Sequence, residues 1–104
     1  MNLIPTVTAQ ELEYWKAAGT TFTLLDIREE GDWRDGHLGG AIHIPISSLE
    51  FYATKLIPNK EQLVVPYCNV GRTSVLAAEI LYKLGYKKIM HLEGGYQDAK
   101  DIIL

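Results

Sequence analysis

The residues best suited to chemistry lie in one run, Cys68-Asn69-Val70-Gly71-Arg72-Thr73-Ser74. Cys68 is the only cysteine in the chain and directly follows the apolar stretch Leu63-Val64-Val65-Pro66-Tyr67. A helical pattern begins near Thr73, with apolar residues Ala77, Ile80, Leu81 and Leu84 at i, i+3, i+4 and i+7. A thiol between a strand end and a helix start meets three influences that favour its ionised form. The helix N-terminus carries partial positive charge. A tight loop can aim backbone N–H groups inward as an anion-binding nest. Arg72 adds a full positive charge nearby. Such surroundings draw a thiol from ~8.5 toward neutrality or lower, and the thiolate is the nucleophile. Gly71 permits the positive φ or close backbone approach that such a loop needs. The competing reading is an inert core side chain, because free cysteines are among the most buried residues. Taken from the residues alone, the two readings stand side by side.

The elements that would position this loop follow from pattern. Thr8 and Glu11 form a capping box for a helix over Ala9–Ala18, which stops at Gly19. Phe22–Ile27 reads as a buried strand, Glu29–Asp35 as one or two helical turns, and Ala41–Ile44 as a second apolar run closed by Pro45. Ser47 or Ser48 is the expected cap of a helix reaching Leu56 before Pro58. Leu63–Tyr67 reads as a central strand whose ladder Pro66 should interrupt. Gly85 is the expected C′ residue of the Thr73 helix. Lys88–Leu92 reads as a short strand, Gly94-Gly95 as a turn and Tyr96–Lys100 as a last short helix. Strands alternating with helices imply a mostly parallel sheet covered on both faces, with the ligand crevice beyond the carboxyl ends of the strands. Cys68 stands at such an end.

Composition narrows the function classes. The chain has 104 residues, enough for a single domain, with 47% apolar and 22% charged side chains, which fits an ordinary globular domain. The net charge of −3 argues against non-specific binding to nucleic acid or to anionic membranes. Apolar runs fall well short of the ~20 residues that cross a bilayer. One cysteine excludes an internal disulfide and a multi-cysteine zinc site. Met1-Asn2-Leu3-Ile4-Pro5 has neither the basic region nor the apolar core of a secretory leader, which leads to the expectation of a cytoplasmic protein.

Four boxes in order resemble the rhodanese-like domain family. They are Leu24-Leu25-Asp26-Ile27-Arg28-Glu29, then Gly36-His37-Leu38-Gly39-Gly40-Ala41-Ile42-His43-Ile44-Pro45, then Tyr67-Cys68 with Gly71, Arg72 and Ser74, then Leu92-Glu93-Gly94-Gly95-Tyr96. Together they span nearly the whole chain. The resemblance implies a three-layer α/β/α domain on a five-stranded, mostly parallel sheet. It also implies a sulfurtransferase in which Cys68 carries sulfane sulfur as a persulfide. The donor would be thiosulfate or a related small sulfur-containing anion, and the acceptor cyanide, a thiol or a small redox protein. Backbone N–H groups of Asn69, Val70, Gly71, Arg72, Thr73 and Ser74 would bind the anionic substrate. No cofactor or metal is implied. The sequence departs from the family pattern at three places. Arg72 stands one position earlier than the usual loop arginine, Gly39 replaces a usual proline, and no tryptophan follows Gly94-Gly95.

Two other classes share a related loop or fold. Tyrosine phosphatases and arsenate reductases need a longer loop whose arginine would stand at Ser74, whereas three residues separate Cys68 from Arg72. A non-catalytic binding module on the same fold is the second alternative; inactive members of the family typically lack the cysteine. Asp26 and Arg28, at a strand end, are expected to pair and brace the loop. His37, His43 and His91 lack metal-ligand spacing and are expected to be structural, although His91 could approach the loop. Trp15 and Trp33 are expected to pack in the core, with the mouth of the site as the alternative place for Trp33.

Overall fold

Neighbouring residues on a strand point to opposite faces of a sheet, and in this chain that alternation builds two cores. A computed structural model describes residues 4–103; Met1–Leu3, part of the stretch read above for a leader, lie outside the described residues. The strands are β1 (Thr6–Val7), β2 (Thr23–Asp26), β3 (Ile42–His43), β4 (Leu63–Tyr67), β5 (Lys88–Ile89) and β6 (His91–Leu92). The helices are α1 (Ala9–Ala18), α2 (Glu30–Asp35), α3 (Ile46–Leu56), α4 (Thr73–Lys83) and α5 (Gly95–Ala99). Four strands pair in the order β3-β2-β4-β5, and β1 pairs with β6, every pair being parallel. Only Met90 separates β5 from β6, and its amide donates to the Val64 carbonyl at 3.2 Å. One bent strand therefore serves both sheets, and the implied five strand positions are filled.

Leu25, Val64 and Ile89 face Leu49 and Ala53 of α3 and Ala77 and Leu81 of α4. Leu24, Val65, Tyr67 and Leu92 face the other way, against Leu12 of α1 and Ala99 of α5. This is the expected α/β/α layering. Cys68 belongs to the first core and Tyr67 to the second, so adjacent residues at the end of β4 serve opposite layers. Trp15 packs at the edge of the second core. Among the described residues no helix is long and apolar enough to cross a membrane.

Local signals at the helix ends hold. The Glu11 amide donates to Thr8 Oγ1 at 3.1 Å and the Thr8 amide to Glu11 Oε1 at 2.8 Å, which closes the capping box. After α4, the Gly85 amide donates to the Tyr82 carbonyl and the Tyr86 amide to the Leu81 carbonyl, the paired bonds of a Schellman ending.

Two expectations fail. Pro66 does not interrupt β4, which pairs with β2 from Leu63's neighbour Val64 through Tyr67. Along a parallel strand, alternate residues bond alternate neighbours. Val64 bonds the β5 side and Tyr67 the β2 side, so Pro66 turns its missing N–H toward β5, past the last β4–β5 pair. Neither Ser47 nor Ser48 caps α3, because Pro45 occupies the cap position. The Ile46 amide is still bonded to the Ile27 carbonyl at 3.1 Å, which ties the chain to β2 until the helix begins. Both serines thus fall inside the first turn.

The short helix α5 docks on the chain leaving β4. The Tyr96 amide donates to the Cys68 carbonyl at 2.8 Å and the Gln97 amide to the Asn69 carbonyl at 3.0 Å. Gly95 has φ +60°, and a Cβ there would overlap the Cys68 carbonyl oxygen and lie 2.8 Å from the Asn69 carbonyl. Side-chain strain at such a φ, added to a backbone clash, costs about 2 kcal/mol or more. Gly95→Ala should therefore lower the urea midpoint of unfolding clearly; an unchanged midpoint would show that α5 does not bear on this chain segment.

Candidate active site

Cys68 leaves the carboxyl end of β4, and the chain turns within four residues into α4. The side chain is buried, with 5% of its surface exposed. Gly71, at φ +91°, folds the loop back so that its amide donates to Cys68 Sγ at 3.1 Å. The Gly94 amide would lie 3.1 Å from a Cβ at Gly71, so the position requires both the positive φ and the missing side chain. Burial pushes the Cys68 thiol up. The Ser74 amide and hydroxyl and the Gly71 and Val70 amides push it down, and the net result lies below the ordinary thiol value. The lowering comes from backbone and hydroxyl donors.

A second set of contacts fixes the other side of the loop. Asp26 is fully buried and Arg28 nearly so, and Arg28 forks onto the carboxylate through Nε at 3.1 Å and Nη2 at 2.8 Å. Arg28 lies just beyond β2, and its own amide donates to Asp26 Oδ1 at 2.9 Å. Tyr67, directly across the ladder from Asp26, donates its hydroxyl to Oδ2 at 2.7 Å and accepts from the Leu38 amide at 3.1 Å. Burial first, and then the bond to Asp26, raise the Tyr67 phenol far above its ordinary range, so it remains a donor. Arg28 also donates to the Gly36 carbonyl at 2.7 Å and to Asn69 Oδ1 at 3.2 Å, while its guanidinium lies 4.2 Å from the Tyr96 ring centre. Asn69 Nδ2 donates in turn to Asp32 Oδ2 of α2 at 3.1 Å. Asp26 and Arg28 do pair, and Arg28 holds the side chain of the residue that follows Cys68.

The structure sorts the residues singled out from sequence. Val70, Gly71 and Ser74 act on the sulfur. Asn69 instead spends its side chain on Arg28 and Asp32. Arg72 and Thr73 are exposed, and Arg72 makes no ion pair among the described residues. Val70 is also exposed on the outer side of the loop. Trp33 joins neither core. Its ring is stacked between His37, with centres 3.4 Å apart, and His43 at 4.7 Å, and His43 Nε2 lies 2.8 Å from the Arg28 carbonyl. Sequence reasoning placed Tyr67 and Tyr96 in the family boxes without foreseeing their contacts with Asp26 and Arg28, and it missed Asp32. Only the strand register, which puts Tyr67 opposite Asp26, reveals the Tyr67 contact. His91 does approach the loop: its Nδ1 lies 3.1 Å from Ser74 Oγ.

A parallel-sheet domain with a donor-lined cysteine loop at its carboxyl edge matches a known class. The model for the rhodanese-like domain matches residues 8–101, and the chain belongs to that family. It is 35% identical to the thiosulfate sulfurtransferase PspE of Escherichia coli over 74 residues, covering 71% of this chain and 70% of that protein. It is 30% identical to the putative sulfur carrier protein YrkF of Bacillus subtilis over 95 residues; the match covers 91% of this chain and half the length of that relative. Among solved structures, the human single-domain sulfurtransferase TSTD1 superimposes with a TM-score of 0.81 at 27% identity, covering 98% of this chain and 100% of that one.

The donor set around Sγ predicts a spectroscopic result. Thiolate absorbance should rise at a lower pH in the folded protein than in the same chain unfolded in urea, because the folded state favours the ionised sulfur. A folded midpoint at or above the unfolded one would mean that burial outweighs the donors.

Proposed function

We propose that the protein is a sulfurtransferase in which Cys68 carries sulfane sulfur. The observation that carries this reading is the sulfur itself: buried, anchored by the Gly71 amide at 3.1 Å and held below its ordinary thiol value. The names of PspE and TSTD1 support it, and the name of PspE favours thiosulfate as donor. In the reaction, the Cys68 thiolate attacks the outer sulfur of thiosulfate. A new S–S bond forms, the old one breaks, and sulfite leaves with its electron pair. Cyanide then attacks the outer sulfur of the persulfide, thiocyanate departs and the thiolate returns. A thiol, free or on a small redox protein, is the alternative acceptor.

The loop amides that hold the thiolate also suit a persulfide anion, because they are fixed before the charge arrives. No general base is needed if the sulfur is already ionised. A cytoplasmic setting suits this chemistry, since thiols there stay reduced. The short loop disfavours phosphate monoesters, because Arg72 follows Cys68 too closely to encircle a phosphate. The exposed Arg72, at the cap of α4 and without an ion pair among the described residues, would meet the sulfonate end of thiosulfate.

Treatment with thiosulfate should add the mass of one sulfur atom to the Cys68 peptide, and cyanide should remove it. Cys68→Ser should abolish thiocyanate formation with the fold intact, since an alcohol cannot hold a persulfide. Turnover by the serine variant would end the assignment.

Arg72→Ala should raise KM for thiosulfate roughly tenfold with a smaller change in kcat, as expected for a charge-assisted contact made before and during transfer. An unchanged KM would remove Arg72 from the donor site.

A further inference from the structure

The helix α2 buries none of its residues, yet it is tied down at several points. The Trp33 ring lies between His37 and His43. His43 Nε2 donates to the Arg28 carbonyl at 2.8 Å and His37 Nδ1 to the Trp33 carbonyl at 2.9 Å. Arg28 Nη2 donates to the Gly36 carbonyl just past the helix. These contacts hold the second half of α2 and set Asp32, directly before Trp33, against the Cys68 loop. Among the described residues the Asp32–Asn69 bond, at 3.1 Å, is the one hydrogen bond from α2 to that loop.

The place between Arg28 and Asp32 calls for a side chain like Asn69. Its Oδ1 accepts from Arg28 Nη1 at 3.2 Å while its Nδ2 donates to Asp32 Oδ2 at 3.1 Å. A guanidinium can only donate and a carboxylate can only accept, so the side chain between them must offer one group of each kind. The two charges also fix which way round the amide stands.

We propose that, on the reading of Cys68 as the reacting atom, Asp32 is a positioning residue for it: acting through the Asn69 side chain, Asp32 holds the start of the loop so that the Gly71 amide stays on the sulfur. The Cys68 and Asn69 carbonyls are both bonded to α5, at 2.8 and 3.0 Å. Two bonds to one helix leave a segment free to swing about the line that joins them. A third anchor on a different element removes that freedom. Arg28 supplies part of it, but a bond to Oδ1 alone lets the amide pivot. Asp32 takes the other end of the amide and stops the pivot, and the charge on its carboxylate strengthens the bond. Gly71 then meets Sγ at 3.1 Å.

The competing role for Asp32 is that of a bare negative charge near the sulfur. The two roles have opposite signs. A nearby anion disfavours the thiolate, so its removal lowers the Cys68 midpoint. A lost anchor loosens the Gly71 donor, so its removal raises the midpoint. Thiolate absorbance of folded variants separates them. Asp32→Ala should raise the midpoint by about half a pH unit, part of the worth of one donor to an anion. Asp32→Asn should not raise it, because its side-chain carbonyl still accepts from Asn69 Nδ2 while the charge is gone. Asn69→Ala should raise it at least as far as Asp32→Ala, and the double alanine variant no further than Asn69→Ala alone. A midpoint in Asp32→Ala at or below the wild-type value, a rise in Asp32→Asn, or additive shifts in the double variant would overturn the proposal. Should Asp32→Ala fail to fold, proton exchange at the Asn69 side-chain amide of the wild-type protein decides. Slow exchange is expected, and exchange as fast as in a solvated asparagine overturns the anchor. Neither measurement uses a sulfur donor. A protein that moves no sulfane sulfur would still give these answers, and a failed anchor would leave the persulfide reading intact.

Discussion

A peptide loop can turn its amides toward an anion only if its carbonyls find partners elsewhere. Around Cys68 those partners come from α5, whose first amides take the Cys68 and Asn69 carbonyls at 2.8 and 3.0 Å. With these two carbonyls bonded outward, the following units are free to face the sulfur, and the Gly71 amide reaches it at 3.1 Å. The rest of the site follows from this division. Gly95 must lack a side chain for α5 to come so close, and Gly71 must adopt positive φ for the loop to fold back. A buried orphan amide or carbonyl costs about as much as a lost hydrogen bond, so the arrangement is enforced by the whole loop rather than by one contact. No buried side-chain nitrogen or oxygen among the described residues lacks a partner.

The Asp26–Arg28 pair serves the same end by another route. Burying two charges is costly, and such a pair contributes little net stability, yet removing one partner typically costs about 3–5 kcal/mol. Its value here is geometric. One guanidinium joins the end of β2, the Gly36 carbonyl and the Asn69 side chain, and lies against the Tyr96 ring. Tyr67 completes the carboxylate's shell and carries the contact to Leu38. The loop is thereby fixed to β2, α2 and α5, while Ser74 and His91 fix its far end to α4 and β6. On the proposed reading of Cys68 as a nucleophile, such rigidity keeps its donors in place, with no reorganisation when substrate arrives.

Much of this was legible in the chain. Thr8 with Glu11, and Gly19, announced α1; Gly85 announced the end of α4; Cys68 before Gly71 and Ser74 announced the loop. These signals are local, and local chemistry decides them. What stayed hidden depended on register. Pro66 reads as a break until the sheet shows that its missing donor faces a side where pairing has already ended. Tyr67 reads as a strand terminus until it stands opposite Asp26. Ser47 and Ser48 read as caps because the tie between Ile46 and Ile27 cannot be seen in sequence. His91 was visible as a residue near the loop, but its contact with Ser74 spans seventeen positions and depends on how β6 is laid down beside α4.

Backbone donors around Sγ, rather than a nearby cationic side chain, favour charge on the sulfur. Amide proton shifts across the Cys68 ionisation test it most directly. Large, cooperative shifts of the Val70, Gly71 and Ser74 amides with one common midpoint are expected, and small ones at Asn69, Arg72 and Thr73. Shifts spread evenly along the loop, or confined to the neighbourhood of Arg72, would contradict it.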